Sequence, residues 1–178
     1  MAIIAIIVIA VITVAFENNF KGVHMKLIPY SEQYTQQIND YVLKDDYYSK
    51  QPKIAVEQAI QHNNSLPILA FNSDMLVSFC VLDNGIEKTN YTMENNTILL
   101  KSFSTDSRYV GHGFASQTLK ALPEFIKNTF SKIESVVLGV NQDNLPAIKL
   151  YKKCGFKDTG RKYLGEIGWQ LIFVLPLK

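Results

Sequence analysis

The chain has 178 residues, the usual size of one domain and too short for two ordinary ones. Hydrophobic residues make up 47% of it and charged residues 19%, which excludes a disordered chain. The formal charge of +2 argues against a protein that mainly coats nucleic acid, and two cysteines are too few for a disulfide framework. We therefore expect one globular domain with reduced thiols and no nucleic-acid partner.

Residues 1–16 are almost unbroken apolar and stand apart from the rest of the chain. A helix of this length spans about 24 Å, against about 30 Å for the hydrocarbon core of a bilayer. Basic residues follow the segment and none precedes it, so an inserted segment would leave the remainder in the cytoplasm. Three interpretations stay open: a native membrane anchor, an extension or artefact upstream of a start at Met25, and an extra strand or helix. We divide the chain into an apolar extension, 1–24, and a cytoplasmic domain, 25–178.

Two short helices are predicted early in the domain. A strand at 27–29 precedes the first helix, which Ser31 can cap and which runs to about residue 43. Pro52 suits the first turn of the second helix. Its inward face is predicted to carry three apolar residues: Ile54, Val56 and Ile60.

A β-hairpin and a loop come next. The apolar runs 67–71 and 75–83 flank the turn sequence Asn-Ser-Asp, which predicts two antiparallel strands. Residues 84–96 are polar and rich in asparagine, a composition that indicates a mobile loop. A further strand is predicted at 97–105.

The second half alternates helices and strands. A glycine-bearing turn opens a long helix at about 114–129, in which Pro123 should cause a kink or a split. The strand 135–140 is apolar throughout and is expected to be buried on both faces. A short helix at 144–153 and a closing strand at 170–175 complete the chain. This order predicts an α/β (α+β) fold, a mixed sheet with helices on both faces.

The turn between the strand at 97–105 and the long helix is the first signal of function. Gly111 and Gly113 stand in it, directly before Phe114. Glycines let a ligand approach the backbone closely, and the free N–H groups and dipole of a helix start stabilise an anion. Phosphate or pyrophosphate would fit there. The sequence is neither a Walker loop, which needs Gly-Lys-Ser/Thr, nor a full dinucleotide fingerprint.

A second motif follows further along the chain, in the pattern N-x-x-A-x-x-L-Y-x-x-x-G-F. Its residues are Asn144, Ala147, Leu150, Tyr151, Gly155 and Phe156. In this order and spacing, the glycine turn and the second motif together resemble the GNAT superfamily of acyl-CoA N-acyltransferases, over roughly 25–178. The resemblance implies a sheet that splays at its centre, acetyl-CoA as acyl donor, and a primary amine as acceptor: a small molecule, a peptide N-terminus or a lysine. It leaves a homodimer possible.

Two alignments of the family's turn pattern, Q/R-x-x-G-x-G/A, fit this chain. One begins at Arg108; the other, aligned on the following helix, begins at Val110, which then replaces the usual Arg or Gln. The backbone donors of the turn can still hold pyrophosphate, and Arg108 is either a solvated charge or a phosphate contact. The resemblance implies that these residues bind the cofactor: Arg108, Val110, Gly111, His112, Gly113, Phe114 and Ala115.

The resemblance also implies how the reaction proceeds. Acyl-CoA lies where the strand 97–105 splays from the strand 135–140, and a backbone N–H there can polarise the thioester carbonyl. The residues implied to pair with the pantetheine are Phe103, Ser104 and Thr105. Tyr151 stands at the family's position for the acid that protonates the leaving thiolate, although a tyrosine at helical spacing is also a common core residue. Asn144 could bond the pantetheine or cap its helix.

The general base is not identified by the sequence. The amine must be neutral to attack, so a base or a water chain is required. Many relatives use a glutamate on the central strand, and 97–105 contains none. The candidates by residue type are Asp83, Glu87, Asp106 and His112. His112 stands in the glycine turn, where phosphate or solvent is its expected neighbour. No spacing of His, Cys and Asp suggests a metal site.

Two functions from different classes remain. The first is an N-acetyltransferase that moves acetyl from acetyl-CoA to a primary amine by direct attack in a ternary complex; Tyr151 and the complete second motif favour it. The second is a module of the same fold that binds acyl-CoA without turnover, which Val110 and the missing strand carboxylate favour. We adopt the enzyme. Acceptor specificity is expected in the first two helices and the loop 84–96. Three tyrosines could line an acceptor cleft: Tyr47, Tyr48 and Tyr91.

Overall fold

The computed structural model describes residues 25–177, so the expectations for 1–24 lie outside the described residues. Within this range seven strands form one sheet in the order β1-β2-β3-β4-β5-β7-β6. The strands are β1 (Met25–Pro29), β2 (Ser65–Asn72), β3 (Met75–Asp83), β4 (Thr97–Thr105), β5 (Ser135–Asn141), β6 (Lys157–Gly165) and β7 (Gly168–Pro176). The α-helices are α1 (Thr35–Asn39), α2 (Pro52–Gln61), α3 (Phe114–Thr129) and α4 (Leu145–Lys153).

The sheet is mixed, which confirms the predicted fold class. Its neighbouring strands are antiparallel except β4 and β5, which run parallel. The predicted hairpin is present as β2 and β3, and Ser73 in its turn has a φ of 54°. The predicted strand at 97–105 is confirmed as β4, and the predicted helix at 114–129 is confirmed as α3.

Helices cover both faces of the sheet. Alternate residues of each strand point to opposite sides, so both faces carry apolar side chains that a helix can bury. On one face, α3 buries three residues against the sheet: Leu119, Leu122 and Ile126. On the other face, α1 and α2 pack on Leu69 and Phe79. Full burial of one such leucine or isoleucine contributes about 1.5–3 kcal/mol, so these two layers supply much of the driving force for folding.

The first predicted helix is wrong in extent. Residues 32–34 form a 3-10 turn, α1 ends at Asn39, and Ser31 makes no side-chain cap. Beyond α1 the backbone bonds to a distant segment: Val42 N–H donates to Asp106, and Val42 O accepts from the N–H of Ser107. These tertiary hydrogen bonds replace the ones that a longer helix would have made.

The inward face of α2 is also partly wrong. Val56 is buried as predicted, but Ile54 is 47% and Ile60 is 66% exposed. Pro52, Ala55, Val56 and Ala59 are the buried residues of this helix. Their spacing is that of one helical face, and the small alanine side chains let the helix lie close to β2. The apolar pattern of the sequence alone predicted that the larger Ile54 and Ile60 face inward.

Residues 84–96 are more ordered than the prediction of a mobile loop. They contain a 3-10 turn, Ile86–Asn90, and bury the side chain of Lys88. The ammonium of Lys88 donates to Asn84 Oδ1 at 2.9 Å, to Glu94 O at 3.2 Å and to Thr97 O at 2.9 Å. The segment therefore supplies hydrogen-bond acceptors to the buried ammonium of Lys88, because a buried charge needs partners.

Strand β6 was not predicted, because it offers no apolar run. Its residues are mostly exposed and polar, and it lies at the edge of the sheet beside β7. Helix α3 continues through Pro123, so of the predicted kink or split the split is wrong. Gly155 ends α4 as predicted, with a φ of 94°. Across residues 25–177, no helix has the length and apolar character that a bilayer span requires.

Candidate active site

Strands β4 and β5 pair for only a few residues and then diverge. The parallel register joins Thr97–Leu99 to Ser135–Val137. Beyond it, β4 continues beside β3 and β5 continues beside β7, so their facing edges no longer bond to each other. A cavity of about 410 Å³ opens at this gap, and we call it the gap cavity. The splayed centre that the resemblance implied is therefore present, and its strand edge can pair with an extended ligand.

A β-bulge shapes the edge of β4 at the gap cavity. Phe79 pairs with Ser104 and Val81 pairs with Lys101, so two residues of β4 stand opposite Cys80. Ser102 in the bulge has a φ of 51°, a conformation that costs a non-glycine residue about 1–3 kcal/mol. Bulges re-aim the backbone, and this one turns residues 102–105 toward the gap cavity. The sequence carried no signal for Ser102.

The glycine turn is open to a ligand. Gly111 and Gly113 have φ values of 88° and 80°, which side-chain-bearing residues rarely adopt. A Cβ added to Gly111 would meet nothing within 4 Å, and one added to Gly113 would meet only Gln117 Nε2 at 3.8 Å. Helix α3 begins at Phe114 without a side-chain cap, so its first N–H groups are available to an anion. The turn therefore fits a pyrophosphate.

The flanks of the turn reach the gap cavity. Val110 and Ala115 line it, and Val110 is 65% exposed. His112 does not line the gap cavity: its Nδ1 is 3.1 Å from Tyr109 O, and its ring stacks on Phe114 at 6.0 Å between centroids. The structure thus brings Val110 and Ala115 together with β4 at the gap cavity and keeps His112 within the turn.

Arg108 is held by protein groups. Its Nη2 lies 2.6 Å from Asp106 Oδ2 and 2.9 Å from Asp40 O, and its Nε lies 2.9 Å from Asp106 Oδ1. It does not line the gap cavity. Burial alone raises the pKa of Asp106, but the hydrogen bonds from Arg108 and from Val42 N–H lower that pKa overall. Asp106 is therefore an ionised, fully buried partner of Arg108.

Tyr151 lies at the inner wall of the gap cavity. It is 8% exposed, and its ring packs on Phe103 at 6.3 Å and on Phe156 at 5.5 Å between centroids. Burial raises the pKa of the phenol well above its usual range, and the thiols of Cys80 and Cys154 raise it further. The hydroxyl is therefore a proton donor at neutral pH. The same burial disfavours both a phenolate and a thiolate at this place, so a departing sulfur would need the hydrogen bond that this hydroxyl can donate.

Asn144 caps α4. Its Oδ1 accepts the N–H of Ala147 at 3.2 Å, and the residue also lines the gap cavity. The amide oxygen is engaged in the cap, which leaves the Nδ2 group for a ligand. The cap and the ligand contact, which the sequence left as alternatives, are compatible in this geometry.

A larger cavity of about 690 Å³ adjoins the gap cavity, and we call it the loop cavity. Its walls come from the segment 46–50, helix α2, the segment 87–91 and the hairpin of β6 and β7. The predicted tyrosines Tyr47, Tyr48 and Tyr91 all line it. The two cavities share Ser102 and Gly139, so they meet where β4 and β5 diverge.

Gly139 permits this junction because it has no side chain. A Cβ there would overlap the ring of Tyr91 and the amide oxygen of Gln170. Tyr91 OH donates to that oxygen at 2.9 Å, and burial, together with the charge of Glu87, raises the pKa of Tyr91 to about 12. Gly139 interrupts an apolar strand, which is a sequence signal for a close approach.

Charged side chains mark one end of the loop cavity. Lys101 on β4 lies 2.6 Å from Asp83 Oδ2 and also pairs with Glu87. Burial alone lowers the pKa of Lys101, but its hydrogen bonds to the two carboxylates raise it overall. Two carboxylates thus flank one ammonium, which leaves this end negative. The acidic residues that line the cavity itself are Asp46, Glu87 and Glu166.

The four candidate bases are not equivalent. Asp83 is engaged by Lys101, by Ser65 Oγ at 2.6 Å and by the Gly85 N–H at 2.6 Å. Asp106 is engaged by Arg108, and His112 lies in the glycine turn. Of the four, Glu87 lines the loop cavity.

Comparison with known proteins identifies the family. The model of the acetyltransferase (GNAT) family matches residues 30–156. The chain belongs to the GNAT acetyltransferases. An uncharacterized N-acetyltransferase of Bacillus subtilis strain 168, YbbJ, is 30% identical over 147 residues, which cover 80% of this chain and 91% of that protein. The spermine/spermidine N(1)-acetyltransferase of the same strain is 28% identical over 115 residues, 64% of this chain and 73% of that protein.

Solved structures share the fold at low identity. The aminoglycoside acetyltransferase AAC(6')-Ib in complex with coenzyme A has a TM-score of 0.70 at 13% identity, over 85% of this chain and 94% of that one. An uncharacterized protein of Bacillus halodurans has a TM-score of 0.72 at 13% identity, over 86% of this chain and 84% of that one. This GNAT protein is thus an N-acetyltransferase that uses acetyl-CoA, as the sequence motifs predicted.

Proposed function

We propose that this acetyltransferase modifies a primary amine by direct attack in a ternary complex, with acetyl-CoA in the gap cavity and the amine in the loop cavity. One observation carries the proposal: the two cavities meet at Ser102 and Gly139, where β4 and β5 diverge. A donor and an acceptor that enter from opposite sides would bring their reacting atoms together at that junction. Holding two reactants in such a geometry removes much of the entropic barrier.

The donor side would hold acetyl-CoA mainly through backbone groups. The free edge of β4 would pair with the pantetheine, and the open glycine turn with its helix start would hold the pyrophosphate. The amide of Asn144 would add a side-chain contact. The proposed residues are Phe103, Ser104, Thr105, Val110, Gly111, His112, Gly113, Phe114, Ala115 and Asn144.

The chain's own groups would then manage charge and protons. A backbone N–H at the bulge of β4 polarises the thioester carbonyl, the amine nitrogen bonds to the carbonyl carbon, and the carbon–sulfur bond breaks. Tyr151 gives its proton to the departing sulfur and regains one from solvent. The proton of the amine leaves through water in the loop cavity, which Glu87 lines.

The acceptor is proposed to be a small cationic amine. Three carboxylates, Asp46, Glu87 and Glu166, line the loop cavity against two ammonium groups, Lys50 and Lys101, so its lining is net negative. Tyrosine rings also line it, and their faces attract cations. The relative named a spermine/spermidine N(1)-acetyltransferase supports the same class. We also propose a cytoplasmic location, which agrees with the free thiols of Cys80 and Cys154.

The test is an assay of CoA release from acetyl-CoA across a panel of monoamines, diamines, polyamines, amino acids and peptides, with product masses determined. We expect acetylated product with at least one diamine or polyamine. Binding of acetyl-CoA without turnover on any amine would instead indicate a module that holds the thioester. Turnover confined to peptides would contradict the proposed acceptor class.

A further inference from the structure

A segment without regular secondary structure lines parts of both cavities, and we call residues 40–50 the wall segment. Leu43 and Asp45 face the gap cavity, whereas Asp46 and Tyr47 face the loop cavity. Tyr48 and Ser49 line both. The position of this segment therefore decides the shape of the space in which donor and acceptor meet.

The first half of the wall segment is fastened to the residues that follow β4. Val42 N–H donates to Asp106 Oδ2 at 3.1 Å, and Val42 O accepts from Ser107 N–H at 2.7 Å. Lys44 N–H donates to Ser107 Oγ at 3.0 Å, and Arg108 Nη2 donates to Asp40 O at 2.9 Å. We call this set of contacts the clasp.

The clasp is continuous with the proposed donor site. Tyr41 OH and Ser104 Oγ lie 3.0 Å apart in the core, and Ser104 is one of the residues proposed to pair with the pantetheine. The second half of the wall segment has fewer attachments: Gln51 Nε2 donates to Asp46 Oδ2, as well as to Leu43 O, and Lys50 Nζ donates to Gln58 Oε1, each at 2.9 Å. The clasp is thus the stronger anchor of the wall segment.

We propose that Asp106 and Arg108 are positioning residues that hold the wall segment on the end of β4 and thereby set the affinity for the amine. The inference rests on the proposed function, because it takes the loop cavity as the acceptor site. It assigns Arg108 to the acceptor side of the enzyme, although its place before the glycine turn suggested a phosphate contact.

The chemistry of Asp106 explains why the clasp should act as a unit. Asp106 is fully buried, and both carboxylate oxygens accept hydrogen bonds from Arg108 or from backbone N–H groups. Arg108 is half-exposed, so its loss leaves the buried carboxylate of Asp106 without its charged partner, and the surroundings rearrange. The wall segment is the part with no helix or strand to hold it in place.

The expected consequence is a change in population. If a variant leaves the wall segment in its working position for only a fraction of the time, the apparent affinity for the amine falls by that fraction. The glycine turn lies outside the clasp, so binding of the nucleotide half of CoA should not change.

The experiment compares two ligands across four variants. Arg108→Ala, Arg108→Lys and Asp106→Asn break the clasp in different ways, and Arg161→Ala removes the other arginine of the chain, which is exposed on β6. For each variant we would measure the KM for the best amine and the Kd for 3′-phosphoadenosine 5′-diphosphate, which carries the phosphates of CoA without the pantetheine. We expect KM to rise by about tenfold or more in the three clasp variants, with Kd within about twofold.

The opposite pattern would overturn the inference. If Arg108 contacts phosphate, Arg108→Ala should weaken the nucleotide about tenfold or more and Arg108→Lys should retain much of the affinity, with the amine KM unchanged. Lower thermal stability with unchanged KM and Kd would show a purely structural role and would also overturn it. Arg161→Ala should change neither value.

Milder variants keep the test decisive if a clasp variant does not fold. Ser107→Ala removes only the bond to Lys44, and Tyr41→Phe removes only the bond to Ser104. Each should raise the amine KM by a smaller factor and leave nucleotide binding unchanged; no rise in either would contradict the clasp. If the unmodified chain acetylates no amine, the proposed function fails. If the unmodified chain acetylates an amine normally and the clasp variants keep its KM, only the role of the clasp is refuted.

Discussion

The gap cavity and the loop cavity are built in different ways. The gap cavity is formed mainly by the edge of β4, the flanks of the glycine turn and the start of α4, in the stretches 100–115 and 139–151, and residues of the wall segment and the β6–β7 hairpin complete its lining. The loop cavity takes most of its lining from four separate regions, the wall segment, helix α2, the segment 87–91 and the β6–β7 hairpin, and residues 99–102 of β4 also line it. The donor side thus depends on backbone geometry, and the acceptor side depends on side chains brought together by the fold.

This difference explains what each side can recognise. Backbone N–H groups and a helix start bind any ligand with a pyrophosphate and an extended amide chain, so they suit a donor that many enzymes share. Tyr47, Tyr48 and the carboxylates at the loop cavity can change without disturbing the sheet, because they lie in loops and turns. Variants that separate donor binding, acceptor binding and turnover test this division.

The largest effect is expected for the hydroxyl at the inner wall of the gap cavity. Tyr151→Phe keeps the ring that packs on Phe103 and Phe156 but removes the proton donor. Turnover should fall by about 10²–10⁴-fold, the usual contribution of general acid catalysis, while the Kd for CoA stays constant. Tyr30→Phe, which removes an exposed hydroxyl bonded to Thr35, is the control. Near-native turnover in Tyr151→Phe would leave Tyr151 as a core aromatic only.

The second effect is expected at the glycine turn. Gly113→Ala puts a methyl group where the ligand should approach the backbone, and we expect CoA to bind about 1–3 kcal/mol more weakly, roughly 5–150-fold. Gly160 on β6 has a similar φ of 73° and equally open surroundings, so Gly160→Ala controls for backbone strain. Titration calorimetry checks both. Equal CoA affinity in the two folded variants would remove the turn from the donor site.

A smaller effect is expected on the acceptor side. Glu87→Gln removes a carboxylate that lines the loop cavity, and it should raise the KM for a diamine about two- to fivefold, as for a half-exposed ion pair. The KM for a monoamine should rise less, and CoA affinity should not change. Glu124→Gln on α3, outside both cavities, is the control. Equal effects on both amines would contradict a role of Glu87 in charge recognition.

The ion pair between Lys101 and Asp83 should affect how the stability of the fold changes at acidic pH. Burial alone raises the pKa of Asp83, but hydrogen bonds from Lys101, Ser65 and Gly85 lower it overall. Its contribution is therefore complete above the unfolded carboxyl pKa of about 3.9 and is lost as the pH falls through the lower folded value. Melting temperatures measured from pH 2 to 6 should fall less steeply for Asp83→Asn than for the unmodified chain. Parallel curves would contradict this role.

The smallest effect is expected for deletion of residues 1–24. Seven paired strands and the linings of both cavities lie between Met25 and Pro176. The shortened chain should therefore fold, bind CoA and acetylate the same amine, with a melting temperature changed by only a few degrees. Insolubility or a much lower melting temperature would show that the segment belongs to the core and that the boundary at residue 25 is wrong.

Features that depend on local sequence were predicted well. The hairpin of β2 and β3, strand β4 and helix α3 follow from apolar runs, turn residues and helical spacing, which act between near neighbours. The glycine turn was recognised for the same reason. The parallel pairing of β4 with β5 and the gap between them came with the family resemblance, because no local pattern determines where two parallel strands separate.

Tertiary structure alone decided the features that join distant segments. Asp106 ends helix formation near Val42 by taking a backbone N–H more than sixty residues away. The bulge at Ser102 follows from the offset between β3 and β4, and the edge strand β6 forms because β7 offers it a partner. The sequence by itself determined the family, the donor and most core elements, since these depend on contiguous motifs. The wall segment and the acceptor cavity depend on long-range hydrogen bonds and ion pairs, whose partners only the folded chain brings together.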